Sequence, residues 1–131
     1  MATEYTFTYG QEIITDDRPV AASNVHSGSG RAGVSEDLVP SDDLLLPDFG
    51  LDVSTIQAIV ILSSQDVAFK TYLVAVLKDT INLLAGVPYV WDATSYFANL
   101  LTEDFDNVKV TEAGGKSGTI RIEAITDATP A

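Results

Sequence analysis

An antiparallel β-sandwich or barrel is the fold class this sequence predicts, and three observations carry the prediction. Short segments rich in Val, Ile and aromatic residues recur at roughly ten-residue spacing, seven or eight of them. Clusters of Gly, Pro, Asp and Ser separate them as turn formers. The chain has 131 residues of which 46% are apolar, enough for one folded domain around one core.

The elements follow in order. Tyr5, Phe7 and Tyr9 alternate with Thr6 and Thr8, the period-two pattern of a strand with one buried face. Gly10 permits a bend before Glu12-Ile13-Ile14-Thr15, a continuation or a second short strand. Residues 16–43 hold Pro19, Gly28, Gly30, Gly33 and Pro40 with only isolated apolar residues, so they read as a long irregular loop or an extended arm. Leu44-Leu45-Leu46-Pro47 and Phe49-Gly50-Leu51-Asp52-Val53 come next. The β-branched run Ile56–Leu62 predicts a central strand, and Val67 and Phe69 begin another. Residues 72–77 are ambiguous, because Phe69, Leu73 and Val76 also fall at helical spacing. Ile81–Leu84, the turn Ala85–Pro88 and Tyr89–Trp91 read as strand, turn, strand, and Tyr96–Leu101 as a further short apolar segment. Val108 and Val110 are expected to pair with Ile120, Ile122 and Ala124 in a hairpin across Gly114–Gly118. Residues 127–131 read as a flexible tail, and 1–131 as a single domain.

Composition narrows the chemistry. Nineteen acidic residues against seven dispersed basic ones give a net charge of −12, which repels phosphate backbones and disfavours nucleic acid as a partner. No run approaches the roughly 18 apolar residues of a membrane span, and residues 1–5 lack a signal-peptide pattern. The absence of cysteine excludes disulfides and thiolate metal sites.

Reactive groups are scattered. The single histidine, His26, lies beside Ser27-Gly28-Ser29-Gly30, and such a loop supplies neither a rigid base nor oxyanion donors for a hydrolytic triad. Gly28-Ser29-Gly30-Arg31-Ala32-Gly33 fits G-x-G-x-x-G, with Asp52 about twenty residues on. A dinucleotide site needs a strand before those glycines and a helix after them, and neither is predicted. The acidic pairs Asp16-Asp17 and Asp42-Asp43 and the run Glu103–Asn107 lack the calcium-loop spacing and read as turn residues. Tyr89, Trp91, Tyr96 and Phe97 are core candidates, with a sugar-binding face through Trp91 and Tyr96 as the competing use. The expectation is a non-enzyme with no cofactor and no bound metal.

What remains is surface. Three successive leucines cannot all face one side of a strand, so at least one of Leu44, Leu45 and Leu46 should turn away from the core. An apolar patch on an acidic protein marks a protein contact. Leu44, Leu45 and Phe49, with Val20, Val25 and Val34 from the 16–43 arm, form the candidate protein interface.

Four phrases carry a family resemblance: Ser63-Ser64-Gln65-Asp66-Val67-Ala68-Phe69-Lys70-Thr71, Asp79-Thr80-Ile81-Asn82-Leu83, Ala85-Gly86-Val87-Pro88-Tyr89-Val90-Trp91, and Val108-Lys109-Val110-Thr111. In these the chain resembles small virion proteins of tailed bacteriophages, capsid cement (decoration) proteins among them, over about half its length, Gln57 to Ile125. The apolar stretch Tyr72–Lys78 departs from the polar loop expected there and points to a different contact surface. The resemblance implies a jelly-roll-like β-sandwich on the exterior of the virion capsid, made in the host bacterial cytoplasm. It further implies the major capsid protein as partner, and a homo-oligomer (dimer or trimer). A tail or neck component is the alternative within the same class.

Overall fold

The computed structural model describes residues 5–13 and 20–28 through their backbone pairing, and residues 30–47 and 49–127 in full. The described residues form ten strands: β1 (Tyr5–Ile13), β2 (Val20–Gly28), β3 (Gly30–Asp37), β4 (Asp43–Leu46), β5 (Ile56–Ser63), β6 (Val67–Leu73), β7 (Val76–Leu83), β8 (Tyr89–Asp92), β9 (Asn107–Thr111) and β10 (Thr119–Thr126). One four-stranded sheet runs β3-β10-β5-β8, the other β4-β9-β6-β7, and β1 pairs with β2 as a separate ribbon. Every pairing is antiparallel. A short 3-10 turn, Val53–Thr55, precedes β5; the Asp52 side chain accepts from the Ser54 amide at 3.0 Å and caps it.

The two large sheets face each other across one apolar core. Ile59 and Ile61 of β5 and Ile120, Ile122 and Ala124 of β10 come from the first sheet. Leu46, Phe69, Ile81, Val108 and Val110 come from the second. Alternation explains the choice: β9 buries Val108 and Val110 while Asn107, Lys109 and Thr111 sit half-buried on its other face. The ribbon β1–β2 lies against β10 and β5. On the outward side of those strands Ala58 and Ile125 are buried.

Several expectations from the sequence change. Residues 20–28 and 30–37 are strands rather than irregular chain. In β3 the half-buried Ala32 and Val34 alternate with exposed Arg31, Gly33 and Ser35, but an edge strand has one neighbour, so its apolar signal is thin. His26 sits on β2 opposite Phe7, and the G-x-G-x-x-G run ends inside β3, with no helix after it. The hairpin expected between Val108/Val110 and Ile120–Ala124 does not exist. β9 pairs with β4 and β6, β10 with β3 and β5, and the two strands face each other across the core from different sheets. Their matching alternation reflects a shared core and not a shared ladder. Ile81–Leu83 is the end of a longer strand, β7, with Leu84 just beyond it, and 96–101 is loop. Asp127 donates its amide to the Thr55 carbonyl at 2.8 Å, and the rest of the expected tail lies outside the described residues.

The ambiguous 72–77 segment is a hairpin turn. Leu73 pairs with Val76, and Val74 and Ala75 between them have φ of 49° and 64°. Two successive positive-φ residues make the tight turn that suits strand twist, a position natural hairpins fill with Asn-Gly. A left-handed L-residue costs roughly 1–2 kcal/mol, more for a β-branched side chain. The double variant Val74→Asn, Ala75→Gly is therefore expected to raise unfolding free energy by about 1–2 kcal/mol in urea titration. Val74 is 78% exposed, so no packing is lost.

Candidate functional site

A sandwich of two four-stranded sheets has two open sides, one between β3 and β4 and one between β7 and β8. The loop 93–106 closes the second. Its first half is tied to β8: the Trp91 indole donates to the Phe97 carbonyl at 2.9 Å, and the Tyr89 hydroxyl donates to Asn99 Oδ1 and accepts from the Leu100 amide. Burial holds the Tyr89 phenol above its ordinary pKa, opposed by the Leu100 amide and helped by the Asp79 charge, so it stays a donor. The second half is tied to β7, where Asp79 accepts from the Thr102 amide and hydroxyl, both at 2.9 Å, and from the Glu103 amide at 3.2 Å. Leu101 and Phe105 plug into the core.

The β3/β4 side has no such cover among the described residues. It holds a groove of about 380 Å³ lined by Val34 and Glu36 of β3, Leu44 and Leu45 of β4, and the following Pro47 and Phe49. Four of the six residues singled out from the sequence thus meet at one feature. Leu44 and Leu46 face inward, and Leu45 turns to the outer face at the groove's lip, 58% exposed. Val20 and Val25 lie on β2, and their side chains fall outside the described residues.

The floor of the groove is held from beneath. After β4 the chain turns back, with the Phe49 amide on the Leu46 carbonyl at 3.3 Å and the Phe49 ring tilted against Phe105 at 6.3 Å. Leu51 and Phe105 exchange two backbone hydrogen bonds, of 3.0 and 3.2 Å. Gly50 is required here, because a Cβ would lie 2.7 Å from the Phe105 carbonyl oxygen and 2.8 Å from the Asp106 Cα.

The strand leading into the groove is set by one carboxylate that the sequence did not single out. Glu112, buried in the β9–β10 crossover, accepts from the Ser41 amide at 2.8 Å, the Gly114 amide at 2.7 Å and the Lys116 amide at 3.1 Å. It thereby fixes the 39–42 turn, where Ser41 has φ of 59°. The Ser41 amide is the main cause holding Glu112 below its ordinary value of 4.5, with burial opposing and the Lys116, Gly114 and Gly115 amides assisting. A depressed folded pKa stabilises the fold above the unfolded value, and that contribution is lost as pH falls through the folded one. Urea titrations should therefore show stability declining below pH 4.5, with Glu112→Gln less stable at pH 7 and losing less on acidification.

The other carboxylates have similar structural duties. Asp104 accepts from the Val53 amide at 2.9 Å, Asp106 from the Val74 amide at 3.3 Å and Asp66 from the Ala85 amide at 2.8 Å. Asp52, Asp104 and Asp106 line a more polar cleft of about 680 Å³, but each is already tied to backbone or hydroxyl donors. Hydrogen bonds from the Ser54 hydroxyl and amide hold Asp52 below its ordinary range. Among the described residues no three His, Asp or Glu side chains converge on a metal position. Trp91 packs against the core, so Tyr96, fully exposed, and Phe97, 83% exposed, are the aromatic rings presented to solvent near it.

No known protein family matches this chain, and neither does any curated protein or any solved structure.

Proposed function

We propose that this chain is a non-enzymatic structural protein of a bacteriophage particle, a capsid cement protein that binds the major capsid protein on the shell exterior. The observation that carries the proposal is the β3/β4 groove. A strongly acidic protein leaves an apolar channel between two edge strands that no described residue covers, while its opposite side is closed by a pinned loop. Uncovered edges invite pairing with another chain and are normally protected. A face left open in this way is built for a partner.

The strand order supports a jelly roll. Along β3 to β10 the chain visits the two sheets as first, second, first, second, second, first, second, first, giving the orders β3-β10-β5-β8 and β4-β9-β6-β7. Two interlocked Greek keys produce this interleaving, and capsid proteins, lectins and cupins share it. Fold alone does not choose among those uses. The resemblance of the 63–71, 79–83, 85–91 and 108–111 phrases to small virion proteins favours the first. The interior is filled by Phe69, Ile61 and Ile122, so contact is made at the periphery. Many identical copies on a shell would multiply a modest individual contact into firm attachment, as would self-association of the chain into dimers or trimers.

The test is sedimentation with shells assembled from the major capsid protein of the same genome. Saturable co-sedimentation and a higher disruption temperature of the shell are expected. A chain that stays at the top of the gradient at every concentration contradicts the proposal.

A further inference from the structure

We infer that the β3/β4 groove takes an extended segment of its partner as an added strand on the free edge of β3, and that this segment is basic at its N-terminal end and apolar beyond it. The inference rests on the reading of this groove as the docking face, and it specifies the chemistry of what docks. β3 pairs with β10 along all eight residues, Gly30↔Thr126 through Asp37↔Thr119, and nothing among the described residues pairs with its other edge. Its outward N–H and C=O groups are therefore available to a ladder, the bonding that strand addition exploits. Antiparallel addition, the sense of every pairing among the described strands, runs the added strand from the Asp37 end toward the Gly30 end. Alternate side chains of such a strand project over the groove toward Val34, Leu44 and Phe49.

Charge selects the occupant. Glu36 lines the groove, and neither it nor Asp37 forms an ion pair with another described residue. Glu36 shares a face with Val34 and is exposed at the groove, so a neutral or acidic strand laid on this edge would cover an unneutralised charge. Lys or Arg at the start of an antiparallel partner strand meets both acids. At the far end Arg31 is already paired with Glu123 at 2.7 Å. A second copy of this chain is a poor occupant on the same grounds, since Arg31 is engaged and two chains of charge −12 repel.

Two synthetic peptides test this with the full-length protein: KKVTVTVE, basic at its N-terminus, and EVTVTVKK, its reverse. Backbone amide shifts and hydrogen exchange are read by NMR. The first peptide is expected to shift and protect Val34–Asp37 amides, to bind at least fivefold tighter than the reverse, and to lose binding when its backbone is N-methylated. The double variant Glu36→Lys, Asp37→Lys should invert the preference, with circular dichroism confirming that it folds. Equal binding of both peptides, retained binding of the N-methylated form, shifts confined to other strands, or a wild-type dimer protecting β3 would each overturn the inference. Co-sedimentation of the wild-type protein with shells separates the two levels. If shells bind and the peptides fail, docking stands and strand addition is wrong. If the peptides bind β3 and shells do not, strand addition stands and the partner is not the shell.

Discussion

A protein carrying Leu45→Glu is expected to melt at the wild-type temperature and, under the proposed docking, to lose attachment to the capsid shell. Leu45 is 58% exposed on the outer side of β4, so the change removes little internal packing, and surface substitutions of this kind usually fall within about 0.5 kcal/mol. In a docked complex the new carboxylate is taken out of water beside Lys109, its cross-strand neighbour, whose ammonium already lies 3.8 Å from Asp43, and a desolvated charge left incompletely paired at an interface costs about 2–5 kcal/mol. Since each 1.4 kcal/mol is a factor of ten, affinity should fall at least about thirtyfold. Tyr96→Ser is the matched control. It also removes an exposed apolar side chain, but from the loop that closes the opposite side, and it should leave attachment intact. Loss of attachment in the Tyr96 variant, with retention in the Leu45 variant, would move the docking face to the other side of the sandwich.

The largest stability effect belongs to Phe69. Its ring is fully buried in the middle of β6, with Ile81 of β7 and Val110 of β9 as its cross-strand neighbours. Phe69→Ala removes the largest fully buried side chain among the described residues and leaves a cavity that two flanking ladders prevent from collapsing. Such a truncation costs about 3–5 kcal/mol. A domain's whole stability is about 5–15 kcal/mol, so the variant should unfold at a much lower urea concentration, with the slope of the transition unchanged. Phe69→Leu, which keeps most of the volume, should recover more than half of the loss. A variant with wild-type stability would mean that the two sheets do not share the core described above.

The central strands were the most legible part of the sequence, and for a physical reason. β5 and β10 are flanked on both sides, and runs such as Ile59-Val60-Ile61 carry a strong β-branched signal. Edge strands are quieter. β3 and β4 bury one side of a partial core, so β3 passed as loop among its glycines and serines. The 72–77 turn misled because Val74 and Ala75 are unusual occupants of positive-φ positions that Asn and Gly normally announce. The mistaken hairpin of 108–124 had a different origin. Alternation tells which face is buried and says nothing about which strand lies alongside, so two strands facing each other across a core look like partners. Four of the six candidate interface residues meet at one groove because the leucine run could be argued from side-chain direction alone. Glu112 was hidden, since a carboxylate that binds three backbone amides looks in sequence like any solvated acid.

The most direct test of the account is an electron cryomicroscopy reconstruction of a shell saturated with this protein. Density should place the β3/β4 side against the capsid surface, with shell atoms within about 4.5 Å of Leu45 and the 93–106 loop facing solvent. A reconstruction in which Tyr96 and Phe97 or the 74–75 turn make the contact while the β3/β4 groove stays open would contradict it.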